Sequence, residues 1–374
     1  MIYLDNAATT KPNNLVMDSF LKIENEFFAN PASIHSFGMR TNAYLEKARN
    51  VILSSLKLTN HQVVFTASST EANNLAIKGY CLSHKNRGNK IITTNIEHAS
   101  VTEVFNQLEK EFGFEVVTID VNEDGVVTPE MLNAVMDNKT ILVSIMAVNN
   151  EIGSINPIKE LSKVVHSFPK AIFHSDTTQA IGKLNLDYSC IDAFVMSGHK
   201  IEGLKGSGCL VIKKGINLLP IISGGGQEDN LRSGTVSVGL AVSLAKALQL
   251  VTKDLSNKIK YIQSLKDHLV NELKKRDYLV LNTKDEYSPY IVNFSLINKK
   301  AAVVVEGLSR NDIYISSVSA CHSRKEKSSY VIKALTNDES LAKNSLRVSF
   351  SESNTVEEID IMLTKLDEIV RSIK

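Results

Sequence analysis

From about residue 60 to about residue 215 the chain alternates short apolar, β-rich runs with helical patterns, and nothing else in the sequence restricts the fold as strongly. Strands are expected at 61–66, 91–94, 115–120, 140–148, 171–174, 193–197 and 208–212. Helices are expected at 71–84, 101–112, from Pro129 onward and at 158–168. Thr128-Pro129 marks one helix start, a cap residue followed by proline at the first helical position. Alternation on this scale argues for a mostly parallel sheet with helices on both faces. Beyond Gly224-Gly225-Gly226 the texture changes. One long helical stretch is expected from about Val236 to Lys275, then apolar runs at 278–281 and 290–297, then helix, strand and helix. The last helix opens on Thr355-Val356-Glu357-Glu358, which has capping-box spacing. The expected fold is α/β, a large domain with a smaller α+β domain that the long helix joins to it.

With 374 residues the chain is long enough for two domains and a large core. A formal net charge of +1 marks no nucleic-acid or acidic-membrane surface, so no direct nucleic-acid partner and no membrane are expected. The best membrane-span candidate, 236–251, is broken by Ser237, Ser243, Lys246 and Gln249, and falls short of the ~18 apolar residues a span needs. Met1 to Asn6 lacks the basic segment and apolar core of a secretory signal. The four cysteines, Cys81, Cys190, Cys209 and Cys321, contain no closely spaced pair. The expected compartment is therefore a reducing cytoplasm. Cys81 and Cys209 lie in helical and strand patterns as small core residues.

Two strand ends carry the chemistry. Asp192 to Met196 delivers Ser197-Gly198-His199-Lys200, and the run before it ends in His174-Ser175-Asp176-Thr177-Thr178-Gln179. A lysine beside an aspartate at the ends of two strands suits pyridoxal phosphate, the lysine amine condensing with the aldehyde and the aspartate pairing with the pyridinium nitrogen. Ser68-Ser69-Thr70-Glu71 joins a strand to a helix, where free N–H groups and hydroxyls make an anion site. Taken alone it is an ordinary capped helix. Gly224–Gly226 and Arg232-Ser233-Gly234-Thr235 are either flexible turns or further phosphate contacts. His98 follows a strand, as a ring-stacking group or a structural histidine. Asn150, in Asn149-Asn150-Glu151-Ile152-Gly153, and Gln179 stand at strand ends, where ligands gather in open α/β sheets, and suit the cofactor's phenolic oxygen. Arg347 is an arginine inside a strand, either an edge charge or a bidentate clamp on a carboxylate. Cys321 sits among small and polar residues with His322, Arg324 and Lys325 beside it, cations that favour the thiolate. The alternative is an incidental surface thiol.

In order along almost the whole chain, these segments resemble a cysteine desulfurase of the NifS/IscS type, within the class V aminotransferases of fold-type I. The carrying segments are Tyr3-Leu4-Asp5-Asn6-Ala7-Ala8-Thr9-Thr10, Asn30-Pro31-Ala32-Ser33 with His35, Thr70-Glu71 and Glu97-His98. They continue through Val148 to Gly153, Asp176 to Gln179, Ser197 to Lys200, Arg232 to Thr235, Ser319-Ala320-Cys321 and Arg347. The resemblance implies a seven-stranded, mostly parallel sheet in a large pyridoxal-phosphate domain (14–250). It implies a small domain made of 1–13 with 251–374, carrying the Cys321 segment. It implies that Lys200 binds pyridoxal 5'-phosphate, with Asp176 on the pyridinium, Gln179 on the phenolic oxygen and His98 stacked on the ring and moving protons. Ser69, Thr70, Ser197 and His199 would bind phosphate, and Thr235 would reach the phosphate of a neighbouring subunit in a homodimer. Asn150 and Arg347 would hold the carboxylate of L-cysteine. Cys321 would take the sulfur as a persulfide, leaving L-alanine, and pass it to an acceptor protein of iron–sulfur assembly or tRNA or cofactor thiolation. The alternatives are another class V enzyme, such as an aminotransferase or selenocysteine lyase, and a weakly active scaffold for sulfur-transfer partners. Departures from the family pattern fall at Val318 and His322, at Ser68 and Ser69, and at Glu202 and Leu204. Val318 for glycine is expected to stiffen the Cys321 segment, and Glu202 to place a carboxylate near Lys200.

Overall fold

The computed structural model describes residues 1–317 and 328–373. A short strand, β1 (Ile2–Tyr3), and two helices, α1 (Asn14–Glu26) and α2 (Ser36–Ser55), precede the alternating region. That region runs β2 (His61–Thr66), α3 (Ser69–His84), β3 (Lys90–Thr94), α4 (Ala99–Phe112), β4 (Glu115–Ile119), α5 (Pro129–Val135) and β5 (Thr140–Ser144). It continues through α6 (Ile158–His166), β6 (Ile172–Asp176), β7 (Ala193–Ser197) and β8 (Gly208–Lys213). These strands form one seven-stranded sheet in the order β2-β8-β7-β6-β5-β3-β4. Pairing is parallel from β7 across to β4, while β8 runs antiparallel to both of its neighbours. The expectation of a mostly parallel sheet is met.

β3, β5 and β7 are buried along their whole length, as strands covered on both faces must be, which is why their sequences read as apolar runs without alternation. One face packs with α2 and α7 (Val238–Thr252) residues such as Ile52, Leu244 and Leu248, the other with Leu75, Tyr80, Val104 and Phe105 of α3 and α4. Strand order reverses between β3 and β5, and at such a switch point the carboxyl ends of the strands open a crevice.

The remainder is α8 (Leu255–Leu273), β9 (Leu279–Leu281), β10 (Ile291–Leu296), α9 (Ala301–Ser309), β11 (Ile313–Tyr314), β12 (Ser316–Ser317), α10 (Tyr330–Thr336), α11 (Glu339–Lys343), β13 (Ser345–Ser349) and α12 (Val356–Ser372). An antiparallel sheet, β12-β13-β10-β9, packs on α8, α9 and α12. The capping box at Thr355 forms with both of its bonds. Leu4 and Ala7 belong to this smaller core, and β1 pairs with β11. The N-terminal segment then crosses to the large sheet, where Thr10 N donates to His199 O (2.7 Å) and Asn13 N to Glu202 O (2.9 Å).

Two expectations are corrected. The helix expected from Val236 to Lys275 is two helices, because Lys253 is extended and Asp254 is left-handed, φ +56°. Its carboxylate accepts from Asn257 Nδ2 (2.8 Å), an aspartate stabilising its own turn. The β-rich run 140–148 is a strand only to Ser144. The chain then folds back so that Val148 bridges Ile155, and Asn150 and Glu151 of the intervening turn line the crevice.

Candidate active site

At the carboxyl ends of β3, β5, β6 and β7 lies a cavity of about 330 Å³. β7 ends at Ser197 and the chain turns at once through Gly198 to Lys200. A Cβ on Gly198 would stand 2.2 Å from Ser207 Oγ and 2.9 Å from Leu204 O, so only glycine permits this turn. Lys200 Nζ donates to Ala7 O (2.6 Å) and Ala8 O (2.7 Å), two carbonyls of the crossing N-terminal segment.

Asp176 ends β6 and is buried. Its Oδ1 accepts from Thr178 N (3.0 Å) and its Oδ2 from Asn73 Nδ2 (2.9 Å). The same Asn73 Nδ2 donates to Ser100 Oγ (2.9 Å), which lies 2.9 Å from His98 Nδ1. One hydrogen-bonded chain thus ties Asp176 to His98. His98 caps α4, and because Ser100 N donates to Nδ1 (3.1 Å), the neutral ring carries its proton on Nε2. Beneath Asp176, burial pushes His174 well below the usual histidine range, so it is a neutral imidazole bound to Ser144 Oγ (2.8 Å). Glu97, next to His98, is fully buried. Its Oε1 accepts from Thr94 Oγ1 and Met146 N, both at 2.9 Å, while Oε2 has no partner among the described residues. Burial pushes this carboxyl up to about 8, so it is protonated at neutral pH.

The first turn of α3 presents Ser68, Ser69 and Thr70 to the cavity. Ser68 Oγ caps the helix by accepting from Glu71 N (3.2 Å). Glu71 returns to Ala67 N (2.8 Å) rather than Ser68 N and pairs with Arg232 Nε (2.8 Å). His199 lines the same end, and burial, then the charges of Lys200, Lys205 and Lys183, push it down to about 4. It is a neutral hydrogen-bonding group. Gln179 Nε2 donates to Ala7 O (2.9 Å) and its Oε1 accepts from Lys183 Nζ (2.6 Å).

Opposite stands Arg347 in β13, its guanidinium held by Asp5 Oδ1 (2.9 Å) and by the backbone carbonyl of Asn150 (2.8 Å). Glu151 accepts from Ser329 Oγ, and burial pushes its carboxyl up to about 7 against the pull of Ser329 and Arg347.

Four buried polar atoms of the expected site residues and their neighbour lack a partner among the described residues: Asn150 Oδ1, Thr178 Oγ1, Ser197 Oγ and Arg347 Nε. Buried polar atoms ordinarily find partners. A lysine amine, a buried carboxylate held by neutral donors, a helix N-terminus with hydroxyls and an imidazole fit pyridoxal phosphate. Asp176 would meet the ring nitrogen, the α3 turn the phosphate and Lys200 the aldehyde.

Ser69, Thr70, His98, Asn150, Asp176, Gln179, His199, Lys200 and Arg347 therefore come together in one cavity. Ser197 lies buried at the strand end just before it. Thr235 lines other cavities, one beside Thr66 and Ala67 and one beside Phe27, Phe28 and Asn30. Cys321, with Val318 and His322, lies outside the described residues. Glu202 accepts from Asn13 Nδ2 (3.4 Å), and burial pushes its carboxyl up; Glu352 and Lys258 are the charges acting on it. Sequence reasoning missed Asn73, Ser100, Lys183, Asp5 as a partner of Arg347, and the carbonyls of Ala7 and Ala8. The signal for Asn73 was available: an asparagine inside a helix, on the turn that follows Ser69 and Thr70.

The family model for aminotransferase class-V matches residues 2–362. A NifS/IcsS protein homolog of Lactobacillus delbrueckii subsp. bulgaricus is 38% identical, the match covering 99% of this chain and 97% of that one. Cysteine desulfurase IscS of Dictyoglomus turgidum is 35% identical, with 100% and 95% covered. A solved NifS-like protein superposes with a TM-score of 0.91 at 34% identity, covering 99% of both chains.

Proposed function

This chain belongs to the class-V aminotransferase family, and from that premise we propose that it is a pyridoxal-phosphate-dependent cysteine desulfurase, converting L-cysteine to L-alanine with the sulfur taken onto Cys321. The observation that carries the reading is the single cavity in which Lys200, Asp176 and His98 face Arg347. When bound, the cofactor supplies an electron sink that makes the substrate's α-proton acidic and its carbon–sulfur bond labile.

The protein's residues divide the remaining work. Asp176, fixed by Asn73 and Thr178, keeps the ring nitrogen protonated. Gln179 donates to the phenolic oxygen, and Ser69, Thr70, Ser197 and the neutral His199 hold phosphate. His98 covers the ring. Arg347 and Asn150 bind the substrate carboxylate, which aims its side chain back across the cavity. Lys200 and His98 would carry the α-proton. The Cys321 thiolate attacks the substrate sulfur. The carbon–sulfur bond breaks with its electron pair on carbon, which is protonated, and Cys321 leaves with a persulfide for an acceptor protein of iron–sulfur assembly or tRNA thiolation.

The division into a large part, 14–250, and a small part, 1–13 with 251–374, is supported by the core that Leu4 and Ala7 share with residues 262–370. A homodimer, with Thr235 reaching the partner's phosphate site, is supported by three exposed large apolar residues, Phe28 (72%), which lines the Thr235 cavity, and Ile34 (96%) and Met39 (64%), which follow it in sequence. No helix among the described residues is long and apolar enough to cross a membrane, and the proposed compartment is the cytoplasm.

The test is alanine and sulfide release from L-cysteine with a reductant present, comparing wild type with Cys321→Ala. Matched alanine and sulfide in wild type, lost in the variant while the lysine-bound cofactor colour persists, is the expected result. A coloured wild-type protein with no turnover, or turnover indifferent to Cys321, refutes it.

A further inference from the structure

We propose that Lys183 is a positioning residue for the cofactor contact of Gln179: by occupying the amide oxygen, it fixes the amide with its NH2 group toward the cavity. The inference rests on the reading that Gln179 meets the phenolic oxygen. An amide is nearly symmetric in shape, so only its neighbours decide which end faces where. Lys183 Nζ stands 2.6 Å from Gln179 Oε1, and a lysine head offers donors to an acceptor there. The amide nitrogen is thereby turned the other way, where one of its hydrogens goes to Ala7 O (2.9 Å) and the second remains for the cavity that Gln179 lines.

Ala7 O alone is a poor anchor, because it also accepts from Lys200 Nζ (2.6 Å). Lys200 would bond to the aldehyde when the cofactor is held, so the demand on that carbonyl would depend on where Lys200 is engaged. The Lys183 contact does not involve Lys200. A lysine buried as completely as Lys183 is costly. Its surroundings are the Gln179 amide, the Tyr290 ring at 5.9 Å, and the like charges of Lys200 and Arg347. Burial first, then those two charges, push Lys183 down to about 7. Its ammonium and amine forms both carry N–H groups, so the amide is held through neutral pH.

The experiment titrates the visible absorbance of the pyridoxal-phosphate-loaded protein against pH in wild type, Lys183→Met, Gln179→Ala and the double variant. A donor to the phenolic oxygen lowers the proton affinity of the lysine-bound cofactor. Gln179→Ala and Lys183→Met are each expected to raise the midpoint by about one pH unit, about a tenfold change in the protonation equilibrium. The double variant is expected to shift no further than Gln179→Ala, because Lys183 acts through that amide. Lys183→Gln keeps a donor without the charge, and its midpoint is expected near wild type; should Lys183→Met fail to fold, this variant carries the test, and a shift as large as that of Gln179→Ala overturns the inference. An unmoved midpoint in Lys183→Met, or a shift that adds fully to that of Gln179→Ala, also overturns it. If Gln179→Ala itself leaves the midpoint in place, the role of Gln179 falls first and this inference with it.

Discussion

Glu97→Gln should make the protein more resistant to alkaline destabilisation. In the fold Glu97 is fully buried, with one oxygen accepting from Thr94 and Met146 and the other without a partner among the described residues. Its carboxyl is pushed from its ordinary 4.5 up to about 8. A raised carboxyl binds its proton more tightly folded than unfolded. Stability from this group is therefore present below the unfolded value and lost as pH rises toward the folded one. The loss from pH 6 to pH 8 spans two units at about 1.4 kcal/mol each, so about 3 kcal/mol for one side chain. Glutamine preserves the accepting oxygen and replaces the protonated one by an NH2 group of similar shape, without the pH dependence. Urea unfolding at pH 6 and pH 9 reads the difference directly. The variant should already be the more stable of the two at pH 6, and its advantage should grow by about 3 kcal/mol between pH 6 and pH 9. Parallel stability profiles across that range would mean that Glu97 is already ionised in the fold, and would refute the protonated carboxyl.

Two further outcomes follow from the site. Asn73→Ala removes the shared partner of Asp176 and Ser100, and with a buried carboxylate bond worth about 1–3 kcal/mol the dissociation constant for pyridoxal phosphate should rise about tenfold or more in an absorbance titration of the apoprotein. Asp5→Asn leaves the buried Arg347 guanidinium without its counter-ion, costing up to about 3 kcal/mol in denaturant unfolding and raising KM for L-cysteine more than it lowers kcat.

The alternating sheet was legible because strands buried on both faces announce themselves as uninterrupted apolar runs, and each such run here ends in the residues that line the cavity. Lys200, Asp176 and His98 could be found that way, since Asp176 ends its strand and Lys200 and His98 lie in the turns that follow Ser197 and Thr94. What was not legible is whatever depends on pairing across long sequence distances. Asn73 and Asp176 are 103 residues apart, and Asp5 and Arg347 are separated by 342. Arg347 read as a clamp waiting for a carboxylate, whereas the fold has already supplied it with one. The break at Asp254 was hidden for a different reason. Neither glycine nor proline marks it, and the left-handed turn is held by aspartate hydrogen bonds that leave the surrounding apolar pattern intact.

The pairing of Asp5 with Arg347 also explains why one N-terminal segment visits both lobes. Leu4 and Ala7 are anchored in the smaller core, so the residues between and after them are placed with respect to β13 and Arg347. Ala7 and Ala8 then offer their carbonyls to Lys200, and Ala7 to Gln179 as well. Thr9 and Thr10 close on His199. The groups assigned to the substrate carboxylate and those assigned to the cofactor are thus measured from the same short stretch of backbone. A shift of the small lobe relative to the sheet that moved Arg347 would move the acceptors of Lys200 with it. The two alanines matter here for what they lack: a larger side chain at Ala7, buried in the smaller core, would have to displace its neighbours, while the polar work is done by backbone groups that any residue could supply.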